Sequence, residues 1–171
     1  MEASDPIIIL HPTSLYRAMR ERVGDDGVIV PIGKSFVVRE ADAREMVTLV
    51  SYGLMLHRAL AVAEELSREG YGVEVVNVAT LSPLDMGPIT ASVEKTGRCV
   101  IVHEAARSFG IGAEIGMRLW EAIPDALLAP VQRVAGWDIS MPSFLYQGWH
   151  IPSEARICAA AREVLDSKAS W

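Results

Sequence analysis

The chain has 171 residues, half of them hydrophobic, which suffices for one compact core and hardly for two. Sixteen Lys and Arg against twenty-two Asp and Glu leave a formal charge of −6 without a long single-sign run, which argues against nucleic acid as a partner. No apolar stretch approaches the roughly 18 residues that span a bilayer, and Met1-Glu2-Ala3-Ser4-Asp5-Pro6 carries no basic region ahead of an apolar one, so the expectation is a soluble, cytoplasmic protein with no membrane partner.

In chain order, the apolar tetrad Ile7-Ile8-Ile9-Leu10 reads as a strand that has lost its sheet. His11-Pro12, a short helical stretch over 15–23 and a turn at Gly24-Asp25-Asp26-Gly27 follow. An uncovered strand of this kind is an aggregation hazard, so missing sequence or a partner is expected to cover it. From Met46 the pattern becomes regular. A buried run over 46–52 and Gly53 precede a helix with Leu56, Leu60, Ala63 and Leu66 on one face, closed by Gly70 and Gly72. A strand over 73–78, a turn at Thr80-Leu81-Ser82-Pro83-Leu84-Asp85, a helix over 89–95 and a strand over 99–102 come next. A glycine-containing loop leads to a helix with Ile111, Ile115, Leu119 and Ile123 four apart, a strand over 131–135, and a last amphipathic helix over 153–166 started by Pro152-Ser153.

Strict βα alternation with nearly continuous apolar strands predicts an α/β three-layer sandwich, an open and mostly parallel sheet with helices on both faces. Cys99 sits in such an apolar run, and neither it nor Cys158 has CxxC spacing, so both are expected as reduced core thiols.

The motifs that could carry chemistry are weak. His103-Glu104 would suggest a zinc protease only with a second His at position 107, where Arg107 stands, so no metal site is assigned. The run Gly110-Ile111-Gly112-Ala113-Glu114-Ile115-Gly116 has GxGxxxG spacing rather than GxGxxG, and seven residues separate it from the expected strand end at Val102. It reads better as a loop whose glycines permit close helix packing than as a dinucleotide cradle. Trp137, Phe144 and Trp149 lie in a segment poor in regular signals, where aromatics fill a core edge or form an interface.

Seven short motifs nevertheless stand in a telling order: Val47-Thr48-Leu49-Val50-Ser51-Tyr52-Gly53, Val73-Glu74-Val75-Val76-Asn77-Val78, Thr80-Leu81-Ser82-Pro83-Leu84-Asp85, Lys95-Thr96-Gly97-Arg98, Val102-His103-Glu104-Ala105, Gly110-Ile111-Gly112-Ala113-Glu114-Ile115 and Ala129-Pro130-Val131-Gln132-Arg133-Val134. Together they resemble the transketolase C-terminal domain of the β subunits of pyruvate and branched-chain 2-oxo acid dehydrogenases. The resemblance implies that residues 1–33 are the end of a pyrimidine-binding domain plus linker, and that 34–171 are the transketolase C-terminal-like domain. It also implies a holoenzyme with thiamine diphosphate and magnesium, neither expected to bind this chain alone, so no catalytic, cofactor-binding or metal-binding residue is assigned. The implied partners are an α subunit, a second β subunit in a heterotetramer, and the peripheral subunit-binding domain of a lipoyl acyltransferase. Its docking region best matches Asp138, with Trp137, Phe144 and Trp149 around it. Ser140 stands where such relatives have a proline, and aromatics replace acidic residues after it, which suggests a drier interface. Without the resemblance, a free-standing Rossmann-like nucleotide-binding domain or a regulatory interaction domain is the alternative.

Overall fold

The structure, a computed structural model, describes residues 6–16 and 31–167. Five strands, β1 (Ser35–Arg39), β2 (Met46–Ser51), β3 (Gly72–Val78), β4 (Cys99–Ala106) and β5 (Gln132–Gly136), form one sheet in the order β1-β3-β2-β4-β5. β2, β3, β4 and β5 run parallel, while β1 lies antiparallel on β3 at the edge with Ser35 opposite Val78. The β-branched residues of the inner strands suit a pleated surface buried on both sides.

Alternation of side chains along each strand divides the core in two. Val47, Leu49, Val73, Val75, Val100 and Val102 point to the face covered by α1 (Leu54–Arg68) and, after the single turn α4 (Gln147–His150), by α5 (Glu154–Asp166). Val50, Val76, Val78, Cys99 and Ile101 point to the opposite face, covered by α2 (Gly87–Thr96) and α3 (Ile111–Ala122). The three-layer α/β sandwich expected from the sequence is the fold observed. Cys99 and Cys158 are free and buried, as expected. The Ser153 hydroxyl caps α5 by accepting from the Arg156 amide at 3.3 Å.

At the amino-terminal edge of the sheet, buried polar groups are joined. Thr48 bonds Ser92 and Thr96 at 2.8 and 2.7 Å, Ser92 donates to Glu74 at 2.6 Å, and Lys95 closes the network on Glu74 at 2.5 Å. This chain of bonds ties α2 to β2 and β3, and a carboxylate as deeply buried as Glu74 survives there because it is both paired and hydrogen-bonded.

Several expectations need correction. β4 runs four residues past Val102, so His103 and Glu104 belong to the strand rather than follow it. β1 carries no alternation strong enough to announce it, being a five-residue edge strand with a register shift between Val37 and Arg39. The tetrad at 7–10 forms no strand: Ile8 is 88% and Leu10 83% exposed, and among the described residues no strand pairs with it. Of the stretch expected to be helical over 15–23, only its first two residues are described, within a 3-10 turn at Thr13–Tyr16. The remainder and the turn at Gly24 to Gly27 lie outside the described residues.

Candidate interaction surface at the carboxyl edge of the sheet

In an open parallel sheet the carboxyl ends of the strands are where ligands and partners gather. Here His103, Glu104, the loop after β4 and the segment 137–150 meet. His103 is fully buried on the α3 side of the sheet. Its Nδ1 donates to the Ala105 carbonyl at 3.1 Å, its ring stacks on Tyr52 with centroids 6.3 Å apart, and Nε2 has no hydrogen-bond partner. Burial pushes the imidazole pKa down, so the ring is neutral with its Nε2 lone pair against the first turn of α3.

The glycine loop owes its composition to this ring. A Cβ on Gly112 would stand 2.5 Å from His103 Nε2, and one on Gly110 would stand 2.8 Å from Cε1 and 2.5 Å from the Ala106 carbonyl. The space that a dinucleotide loop keeps for pyrophosphate is filled here by an imidazole from the same chain. The next amide donor of the loop is taken as well: Ser108 donates its backbone N–H and its hydroxyl to the two oxygens of Asp138 at 2.7 and 2.8 Å. These two bonds, the backbone one foremost, hold the Asp138 carboxyl below its ordinary range. The glycine loop is thus packed on the chain's own imidazole, and among the described residues no group of three or more His, Cys, Asp or Glu could hold a metal ion.

Glu104 points the other way, toward α1. Burial raises its pKa, an effect offset in part by Arg58 and His150. His150 is buried under the 137–149 segment with Nδ1 unpartnered, and Gly136 makes room for it, since a Cβ there would lie 2.6 Å from its Nε2.

Above these groups lies an apolar surface. The Trp137 indole donates to the Trp149 carbonyl at 2.9 Å, and the Arg156 guanidinium stacks over the Trp137 ring at 4.5 Å while donating to the Ala135 carbonyl at 2.8 Å. Phe144 and Trp149 remain 85% and 82% exposed, and Ile139, Met141, Leu145 and Tyr146 are exposed beside them. Phe109, at φ 59°, is fully exposed on the loop that Asp138 clips. The structure therefore brings Trp137, Asp138, Phe144 and Trp149 into one region, and the aromatics are on the surface rather than in the core. Phe109 was missed by sequence reasoning; its only signal was its place in the loop before Gly110.

The transketolase C-terminal domain family matches residues 21–157. The chain belongs to that family. Among relatives, it is 38% identical to the pyruvate dehydrogenase E1 component subunit beta of Staphylococcus epidermidis, an alignment covering 97% of this chain and 50% of that protein. It is 37% identical, over the same shares, to the corresponding subunit of Staphylococcus aureus. A solved structure titled split gene transketolase, inactive beta4 tetramer, superposes with a TM-score of 0.72 at 27% identity, covering 87% of this chain and 47% of that one. The expected assignment, a transketolase C-terminal domain of the kind carried by 2-oxo acid dehydrogenase β subunits, is borne out. The chain spans about half the length of the curated relatives it matches.

Proposed function

We propose that this chain serves as the transketolase C-terminal part of the β subunit of a thiamine-diphosphate-dependent 2-oxo acid dehydrogenase, with pyruvate as the 2-oxo acid. The observation that carries the reading is the 38% identity to a pyruvate dehydrogenase E1 β subunit over 97% of this chain. In this reading residues 1–33 end a pyrimidine-binding domain, which supplies the thiamine site together with an α subunit and magnesium. The described domain contributes assembly. It joins an α subunit and a second β chain, and the assembly docks the peripheral subunit-binding domain of a lipoyl acyltransferase. Self-filled glycine space at His103 and the engaged Ser108 amide support a scaffold role, and they weigh against the nucleotide-binding alternative. The tetramer of β chains named in the split-gene structure supports contact between copies.

Two measurements test the proposal. Titration of the 171-residue chain with thiamine diphosphate and magnesium in a calorimeter is expected to give no tight binding. Mixing it with an α subunit and a β pyrimidine domain is expected to give decarboxylation of pyruvate that depends on this chain. Tight binding by the chain alone, or full activity without it, refutes the reading.

A further inference from the structure

We propose that Thr80 and Asp85 are positioning residues for the junction with the domain that precedes this one: together they staple the incoming chain, at Gly33 and Ser35, to the loop after β3. The inference rests on the reading above, in which residues 1–33 end a pyrimidine-binding domain, and names the side chains that set the angle of the join.

The first argument is the staple itself. The Thr80 hydroxyl accepts from the Gly33 amide at 2.9 Å, and one Asp85 oxygen accepts from the Ser35 amide at 3.2 Å. Ser35 pairs with Val78, so the two bonds hold the chain where the ladder between β1 and β3 begins. Gly33 turns at φ 82°, a conformation open to glycine, and a Cβ there would stand 3.4 Å from Pro83 Cγ, so the backbone itself lies on the same loop. The bond from Ser35 foremost holds the Asp85 carboxyl below its ordinary range, which leaves it an ionised acceptor at neutral pH. Lys34 lies 3.7 Å from that carboxylate but is 63% exposed, so its charge adds little.

The second argument is that the staple has a rigid base. The loop runs from β3 into α2, which buries Ile89 and Val93 and is tied to β2 and β3 by Thr48, Ser92, Glu74 and Lys95. The other Asp85 oxygen accepts from the Gly87 amide at 3.2 Å, at the first residue of α2, so the carboxylate is held from behind. A contact locked by its own surroundings transmits a direction, where a loose one would only tether.

The third argument is a second point of contact. Pro12 lies beside Gly53, where a Cβ would be 3.5 Å from its Cγ. Gly53 follows β2 and Thr80 follows β3, and these strands are parallel neighbours. The chain ahead of β1 therefore meets the domain twice at the same end of the sheet.

The test is limited trypsin digestion of the 171-residue chain, with the fragment that begins at Ser35 followed by mass spectrometry. Lys34 is exposed but the bond after it enters β1, so cleavage there waits for the junction to open. Thr80→Val and Asp85→Asn are each expected to release the fragment about tenfold faster than wild type with Tm retained. Thr80→Ser, which keeps the hydroxyl, and Glu64→Gln in the exposed pair with Arg68 are expected to match wild type. A role of Asp85 confined to closing α2 would leave Thr80→Val as resistant as wild type, and that result overturns the proposal, as does equal acceleration by Thr80→Ser. The second readout is decarboxylation in the mixture with an α subunit and a β pyrimidine domain. Both loosened variants are expected to need about tenfold more chain for half-maximal rate while reaching the wild-type maximum; unchanged half-saturation overturns the positioning role. A mixture inactive with wild type as well is a failure of the functional reading, and the proteolysis then still decides the staple.

Discussion

A single imidazole fills the space beside the glycine loop at the carboxyl edge of this sheet. His103 is neutral and buried, and burial depresses its pKa below the ordinary value near 6.5. Above that value the folded and unfolded chains are both neutral at this site, and the residue gives stability no pH dependence. Below it the unfolded chain takes up a proton that the folded chain refuses, so stability falls as pH falls, by up to about 1.4 kcal/mol per unit, until the folded pKa is reached. Urea unfolding of wild type and His103→Gln at pH 7.5 and 5.5 checks this. The wild type is expected to lose more stability on acidification than the variant; equal losses would show that the imidazole is not held neutral. Asp138 shows the limit of residue-level reading. The resemblance alone marks Asp138 as a docking acid; its carboxylate is turned back onto Ser108, thirty residues away, and no local spacing reveals such a contact.

Between elements, the close fit of α3 on β4 depends on what glycine leaves out. Gly112→Ala improves helix propensity by about 1 kcal/mol, yet the new methyl would meet His103 Nε2 at 2.5 Å. Overpacking costs about 1–3 kcal/mol, and the ring cannot swing away while the Ala105 carbonyl holds it, so the clash outweighs the propensity gain. Denaturant midpoints should show Gly112→Ala less stable than wild type, with His103→Ser relieving part of the loss in the double variant; a stabilised Gly112→Ala would contradict the packing described. The inner strands were legible because burial on both faces makes them continuous apolar runs, and α3 and α5 because their apolar residues recur at helical spacing. α1 was found with its stripe turned: Met55, Ala59, Val62, Ala63 and Leu66 are the buried residues, while Leu56 and Leu60 only border the core. Alanine at the contact lets α1 approach the sheet, and small side chains carry little weight in a periodicity count. β1 was missed because an edge strand needs only one good face.

For the whole molecule, the two edges of the sheet differ in how their buried polar groups are satisfied. The amino edge is closed by Thr48, Ser92, Glu74 and Lys95. Among the described residues, the buried side-chain atoms without partners belong to Ser35, Ser51, His103, His150 and Arg156. All five lie toward the carboxyl ends of the parallel strands, Ser35 through its pairing with Val78. One edge is closed by paired polar groups, and the other carries the unpartnered ones together with the exposed aromatics.

The two buried thiols give the chain an internal clock. Cys99 lies on β4, between β2 and β5, fully excluded from water, and burial drives its pKa far above the ordinary thiol range; Cys158 is pushed up to about 11. Only the thiolate reacts with alkylating reagents, so modification of Cys99 has to wait for the sheet to open between its central strands. Mass-resolved alkylation at pH 8 should therefore show Cys99 modified at the rate or population set by global unfolding, rising with urea in step with loss of helix signal. Rapid modification in native buffer would reveal that β4 separates from a neighbour while the rest of the fold stays intact.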